Sequence, residues 1–323
     1  MGNQTYNFAV VGAGRFAKNH IRVLQESKDV NLIGIASLTK ESLGKIKDSV
    51  SKNAVLTTDA SKLINNKNVD CVLIATPPST HFELAKAAIK AGKHVLLEKP
   101  MVSNLKQADE LRKIVKGQNK VFMVAHQYIY NDYIRYLKSN INQIGRVNFV
   151  FAEHLYPGPM RNDIGCLWDA GTHQLSMIQY LFNPGNIKNA TGKGLDLTGN
   201  KLDDFTSCMA EFENGLKASI TVSWISPDRA RKFALFGDKS TAVFDDILET
   251  GKLKFHNVIS KNNQPKSISI KKINAENPLK NQLNHFLSCI QNEKEPETGI
   301  EKSYQITEWL DKISREIKLP GYK

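Results

Sequence analysis

Ten residues in, the chain reads Val10-Val11-Gly12-Ala13-Gly14-Arg15-Phe16-Ala17, a G-x-G-x-x-A loop between a short apolar run and an amphipathic one. No other feature restricts the fold as tightly. Gly12 permits the tight turn out of a strand, and Gly14 lets backbone approach a pyrophosphate. Ala17 is small enough for the following helix to lie close on that strand. The free N–H groups and dipole at the helix start then favour phosphate. Alone the motif is weak; set between the first strand and first helix of an alternating pattern, it predicts a dinucleotide site.

That pattern is present. Short apolar runs at Phe8–Val11, Leu32–Ala36, Cys71–Ala75, His94–Leu97 and Val121–Val124 read as strands, apolar throughout and hence covered on both faces, as in a parallel sheet. Helical patterns lie between them, clearest at Arg15–Glu26, Thr80–Ala91 and Asn104–Val115. Thr80 and Glu83 form a T-x-x-E capping box, and Gly92 can take the left-handed position after the helix end. Residues 1–125 are therefore expected to form a doubly wound α/β domain that binds a dinucleotide.

From residue 126 to 323 the texture changes. Arg146–His154 is strand-like, and Phe205–Glu213 and Leu216–Trp224 flank Asn214-Gly215, a type I′ hairpin signal. Lys232–Phe236 and Ala242–Asp245 read as a further pair turning at Gly237-Asp238. A largely antiparallel sheet follows. Trp168–Phe182 reads as a helix on that sheet, stopped by Asn183-Pro184-Gly185, with late helices at Pro278–Gln291 and Ser303–Ile317. These late helices are expected to pack back on the first domain.

Composition narrows the class. With 323 residues and 41% hydrophobic content, two well-buried cores are affordable and disorder is excluded. No run approaches the ~20 apolar residues of a membrane span, and no basic leader with an apolar core opens the sequence. A cytoplasmic protein is expected. Cys71, Cys166, Cys208 and Cys289 stand apart without a C-x-x-C, so reduced thiols and no metal are expected. The net charge of +12 admits nucleic acid or an anionic small ligand. Residues 252–294 carry eight of the lysines against Glu276 and Glu293 but little aromatic interleaving, which favours a solvated basic face. No nucleic-acid partner and no membrane partner is expected.

An acid commonly ends the second strand of a dinucleotide fold and binds the adenosine ribose. Here that position holds Ser37, followed by Leu38-Thr39-Lys40. A carboxylate would repel a 2′-phosphate, whereas a hydroxyl and a nearby lysine tolerate one. The expected cofactor is NAD(P)(H), with a lean toward NADP.

Three further motifs follow in order: Ala75-Thr76-Pro77-Pro78-Ser79-Thr80-His81, then His94-Val95-Leu96-Leu97-Glu98-Lys99-Pro100, then Trp168-Asp169-Ala170-Gly171-Thr172-His173. The first two fall where ligands bind, beyond the carboxyl ends of strands. Asp169 and His173 are four apart on a helical pattern and share a face. Moving hydride from a carbinol carbon requires loss of the hydroxyl proton, a task suited to histidine at neutral pH.

Together these residues resemble the glucose–fructose oxidoreductase/inositol dehydrogenase (Gfo/Idh/MocA) family, over nearly the whole chain. The resemblance implies an N-terminal Rossmann domain and a C-terminal α/β domain with a large, mostly antiparallel sheet used for oligomerisation as a homodimer or homotetramer. It further implies oxidation or reduction at a sugar or cyclitol carbon. By motif position Lys99 is the expected catalytic lysine, with Asp169 and His173 the polar pair facing the substrate. The expected cofactor contacts are Gly12, Gly14, Arg15, Phe16, Ser37, Thr76, Pro77, His81, Glu98, Lys99 and Gln127. Tyr128 and Arg161 join Lys99, Asp169 and His173 toward the substrate. Gly158-Pro159-Met160-Arg161, Ser223-Trp224-Ile225-Ser226-Pro227 and Phe244-Asp245-Asp246, with Glu276-Asn277-Pro278 and His285-Phe286, look most like sugar-nucleotide 3-dehydrogenases. Two departures stand out: Ser37 replaces the common acid, and Gln174-Leu175-Ser176 follows the motif histidine where an acid is frequent.

Other groups are ambiguous in the sequence. His81 and His126 suit either the cleft or plain packing, and His20 and His285 suit packing or solvent. Arg161, Arg229 and Arg231 suit a diphosphate or surface ion pairs. The leading reading is a dehydrogenase for a sugar, preferably a sugar nucleotide. An inositol or simple aldose dehydrogenase and a non-catalytic nucleotide sensor are the alternatives, the last disfavoured because a sensor has no need of Lys99, Asp169 and His173 together.

Overall fold

The computed structural model describes residues 4–257 and 267–322. Lys261 and Lys266 of the basic stretch, and the far ends of the chain, lie outside the described residues. Two compact units emerge: the chain through His126 together with Asn277–Tyr304, and Gln127–Glu276 together with the chain from Gln305 onward.

In the first unit β1 (Tyr6–Val11), β2 (Val30–Ala36), β3 (Val55–Thr57), β4 (Cys71–Ile74), β5 (His94–Leu97) and β6 (Phe122–Val124) form one sheet in the order β3-β2-β1-β4-β5-β6. Every pairing in it is parallel. Its helices are α1 (Arg15–Glu26), α2 (Lys40–Gly44), α3 (Ala60–Ile64), α4 (His81–Lys90) and α5 (Leu105–Lys116). Strands β4 and β6 are buried along their whole length, as apolar runs between two helical layers must be. The strand that the sequence pattern does not announce is β3, three partly exposed residues at the sheet edge. Late in the chain α8 (Pro278–Gln291) returns to this unit, where Phe286 meets Phe8 edge-on at 6.1 Å. Both rings are fully buried, which is worth about 2–3 kcal/mol apiece.

The capping box at Thr80 does not form. A 3-10 turn, Pro78–Thr80, leads straight into α4, so Thr80 already has helical dihedrals and its hydroxyl serves the turn instead. That hydroxyl lies 2.7 Å from both Thr76 Oγ1 and Pro77 O. At the other end Gly92 has φ +72°, and the amides of Gly92 and Lys93 donate back to Ile89 and Ala88, closing the helix as expected.

Among the described residues the second unit is built on an eight-stranded sheet: β7 (Val147–Pro157), β8 (Ile187–Leu195), β9 (Phe205–Phe212), β10 (Lys217–Ser223), β11 (Ile225–Gly237), β12 (Ser240–Asp245), β13 (Leu253–Asn257) and β14 (Ser267–Lys271). Their order is β14-β13-β12-β11-β7-β10-β9-β8, antiparallel throughout except for β7 against β10. Alternation sets the inner face, with Ala218, Ile220 and Val222 buried along β10. Covering helices are α6 (Asp132–Ser139), α7 (Thr172–Phe182) and α9 (Ile300–Glu316), whose first turn is counted with the first unit. From α9, Trp309 packs edge-on to Phe212 at 5.0 Å in the middle of this core. Among the described residues no helix is long and apolar enough to cross a membrane.

The Asn214-Gly215 hairpin forms, but not through a type I′ turn. Only Gly215 has positive φ (+86°); Gly215 N–H donates to Phe212 O, and Phe212 N–H donates to Leu216 O. Three residues thus connect the strands, as a turn closed by a glycine bulge, and the Asn214 side chain accepts from Leu216 N–H instead of moving its own backbone left-handed. Asn183 ends α7 in the left-handed conformation (φ 42°).

Candidate active site

In the first unit the glycine loop, the end of β2 and the turn after β4 converge on one cleft of about 610 Å³. Gly12, Gly14, Ser37, Thr76 and Pro77 line it, together with Thr39. Each glycine is required for a different reason. Gly12 has φ +119° and a Cβ there would stand 2.3 Å from Ala75 O, so the residue that follows β4 leaves no room. Gly14 has ordinary dihedrals and no atom within 4 Å of a Cβ position; the space in front of it is open. It caps α1 with no side-chain hydrogen bond and no acid in the first turn, so the helix start keeps its donors and its positive field for a ligand. Ala17 is fully buried beneath. An open glycine, uncapped helix donors and a cleft of this volume fit a dinucleotide well.

Five other expected cofactor contacts stand next to lining residues in sequence or by hydrogen bond, or follow β5. Arg15 and Phe16 are exposed on the first turn of α1, Phe16 standing edge-on to His20 at 5.4 Å. His81 is fully buried, its Nδ1 2.8 Å from Pro100 O and its Nε2 3.0 Å from Thr76 O, so it clasps the corner after β5 to the turn after β4. Glu98 is buried and Lys99 half-buried at the end of β5, before a cis Lys99-Pro100 bond. None of these five residues lines the cleft. His126, the last residue of this segment, is 1% exposed, and neither ring nitrogen has a hydrogen-bond partner among the described residues. Burial first, and the charge of Lys99 second, bring its pKa down to about 3, so the ring is neutral.

Gln127 opens the second unit, in a 3-10 turn with Tyr128. There a polar cluster occupies the inner face of β7 and the start of α7. The Trp168–His173 stretch folds as a π-helical turn, Leu167–Gly171, running into α7, a local widening common at functional sites. Asp169 lies in the π turn and accepts a hydrogen bond from Tyr156 Oη at 2.7 Å. His173 is buried, stacked on His154 with ring centres 5.6 Å apart and planes 15° apart. Tyr156 in turn meets His154 edge-on at 5.4 Å, and Tyr128 meets His173 edge-on at 5.1 Å. Asp169 and His173 thus face one cluster through neighbours on β7. Burial, then the charge of Asp169, hold the Tyr156 phenol well above its ordinary pKa, so it stays a donor.

Tyr128 Oη donates to Asp246 Oδ2 at 3.2 Å, and Lys252 and Arg231 flank the same carboxylate. Arg161 grips Asp163 through two nitrogens, at 3.0 and 3.4 Å. Gln174, standing where an acid is frequent, places its amide nitrogen 3.4 Å from His154 Nδ1.

Sequence reasoning passed over His154 and Tyr156. Their signal is in the strand itself: Val150, Ala152, His154 and Tyr156 alternate on one face of β7, so two polar rings continue an apolar row. The π turn is held by Asp203, which accepts from Leu167 N–H (2.9 Å), Thr206 Oγ1 (2.7 Å) and the Cys166 thiol (3.1 Å). Trp168 is anchored by its indole N–H on Ser314 Oγ at 3.0 Å.

Comparison with known proteins places these features in context. Residues 6–126 match the oxidoreductase family with NAD-binding Rossmann fold, GFO_IDH_MocA, and residues 138–243 match the GFO/IDH/MocA C-terminal domain. UDP-N-acetylglucosamine 3-dehydrogenase of Acidithiobacillus ferrooxidans is 26% identical over 75% of this chain and 74% of its own. A 1-carboxy-3-chloro-3,4-dihydroxycyclohexa-1,5-diene dehydrogenase of Comamonas testosteroni is 26% identical over 66% of this chain, a match that spans 57% of that relative. Among solved structures, levoglucosan dehydrogenase in complex with NADH superposes with a TM-score of 0.86 at 19% identity, covering 98% of this chain and 97% of its own, a likeness of fold.

Proposed function

Since the chain belongs to the Gfo/Idh/MocA family of oxidoreductases with an NAD-binding Rossmann fold, we propose that it is a dehydrogenase moving hydride between nicotinamide and a secondary alcohol carbon of a sugar, with a sugar nucleotide as the favoured substrate. The observation that carries the reading is the pairing of chemistries: an open, uncapped glycine-loop cleft in the first unit, and in the second a buried His173–His154 pair beside half-buried Tyr156 and Asp169. The relative from Acidithiobacillus ferrooxidans supports the sugar-nucleotide choice.

A bound nicotinamide supplies the hydride acceptor or donor. The chain supplies the rest. His173 takes the hydroxyl proton during oxidation and returns it during reduction. Lys99 donates through Nζ to the reacting oxygen as charge develops there. Asp169, held by the Tyr156 hydroxyl, binds a neighbouring hydroxyl of the substrate. Gly12, Gly14, Ser37, Thr76 and Pro77 bind the dinucleotide. Ser37 and Thr39 leave the adenosine end of the cleft without a β2 carboxylate, which supports NADP(H). Cytoplasmic residence and a homodimer or homotetramer complete the proposal.

Lys99→Ala and His173→Ala should each lower turnover by roughly 10²–10⁴ while nucleotide still binds. Wild-type rates in both variants would refute the assignment. Titration with both nucleotides decides the cofactor, and a tenfold preference for NADH would overturn the NADP lean. Mass spectrometry of small molecules released from the purified protein checks the sugar-nucleotide assignment.

A further inference from the structure

The apolar face of α1 buries Ala17, His20, Ile21, Val23 and Leu24. One of these is not apolar. His20 is 3% exposed on a stripe whose other members serve only packing, and a lone imidazole there would be costly. Its partner is equally out of place: Glu98, 7% exposed at the end of β5. The two meet, His20 Nε2 lying 2.6 Å from Glu98 Oε1. With Nε2 carrying the proton, the ring donates to the carboxylate. The second oxygen of Glu98 is also used, since Oε2 accepts the backbone N–H of Lys99 at 3.2 Å. Glu98 N–H itself donates to Ile74 O, fixing the peptide to β4.

A continuous link therefore runs from the helix that begins at the glycine loop, through one imidazole and one carboxylate, to the main chain of Lys99. We propose that His20 is a positioning residue, which orients Glu98 and through it the Lys99 backbone relative to the dinucleotide loop. The role does not require His20 to touch substrate or cofactor. It explains why the motif carries glutamate before its lysine: a carboxylate has two acceptor oxygens, and both are engaged here. The proposal rests on the assignment of Lys99 as a group that acts on the substrate.

The test uses full-length enzyme and compares His20→Ala, His20→Gln and Lys99→Ala in steady-state rate and in nucleotide affinity by fluorescence titration. His20→Ala should lower kcat by about 10- to 100-fold, the scale of a lost hydrogen bond to a charged group, while nucleotide Kd changes less than threefold. His20→Gln, whose amide N–H reaches the position of Nε2, should restore kcat to within about fivefold of wild type. Full kcat in His20→Ala beside an inactive Lys99→Ala would overturn the positioning role alone. An active Lys99→Ala would overturn the lysine assignment and the positioning role with it. Equal losses in the Ala and Gln variants would show that ring packing matters and the N–H does not, which also overturns the proposal. Should His20→Ala fail to fold, His20→Asn replaces it: its shorter amide falls short of Glu98, and a kcat equal to that of the Gln variant would refute the inference.

Discussion

The neutral imidazole of His126, unpartnered among the described residues, makes a quantitative prediction about acid stability. In the unfolded chain a histidine titrates near ~6.5; in the native state this ring titrates at about 3. Between those values the unfolded state binds a proton that the native state refuses, so stability falls as pH falls. The contribution is complete above pH ~6.5 and is lost progressively toward pH 3. Each unit corresponds to about 1.36 kcal/mol, so at pH 4.5, some two units below ~6.5, His126 should cost about 2–3 kcal/mol. His126→Phe keeps a flat ring and removes the titration. Other groups titrate in the same range, so the useful quantity is the difference between variant and wild type, followed by urea denaturation and far-UV circular dichroism. That difference should move in the variant's favour by about 2–3 kcal/mol between pH 7.5 and pH 4.5, whatever its value at pH 7.5. Parallel stability curves, differing by less than ~0.5 kcal/mol in their pH dependence, would mean the native ring is solvated or charged, and the burial argument would fail.

Three other perturbations separate local roles. Gly12→Ala forces a methyl to 2.3 Å from Ala75 O at φ +119° and should fail to fold, whereas Gly14→Ala meets no atom within 4 Å and should melt like wild type while losing at least about tenfold in nucleotide affinity; similar melting curves for the two variants would contradict these roles. Asp203→Ala removes the acceptor shared by Leu167 N–H, Thr206 and Cys166, and urea unfolding should register a loss of about 2–4 kcal/mol. Tyr156→Phe deletes the hydrogen bond to Asp169 and should lower kcat/KM by about 10- to 100-fold with nucleotide affinity unchanged, and a change below twofold in steady-state assays would exclude Tyr156 from the site.

Legibility in the sequence followed the density of local constraint. His94–Leu97 and Arg15–Glu26 are readable to the residue, because a buried parallel strand and an amphipathic helix after a glycine loop each repeat one rule over their full length. Val55–Thr57 and Ile187–Leu195 are edge strands with polar or exposed faces, and their partners alone make them strands. At Thr80 and Asn214 the residue types were informative and the geometry was not: a preceding 3-10 turn and a three-residue connection chose other hydrogen bonds for the same side chains. The site divides in the same way. The Gly12–Ser37–Thr76 cleft follows from motif and strand order. His154 and Tyr156 become meaningful only once β7 lies beside the Asp169 turn, a proximity set by tertiary packing across thirteen residues. Nor does the sequence announce that Phe16 meets His20 edge-on or that His81 clasps two backbone corners.

The return of α8 to the first unit has a consequence for how the molecule is made. A ribosome delivers β1 through β6 before it has made the helix whose Phe286 covers Phe8. At 5–20 residues per second, roughly ten to thirty seconds separate His126 from the end of α8. During that interval Phe8 lacks the ring that packs on it, while the strands of the other unit's sheet emerge behind it. Completion of the nucleotide-binding unit is thus a late event in synthesis, and chains interrupted before residue 291 leave it unfinished although every residue of the glycine loop is in place.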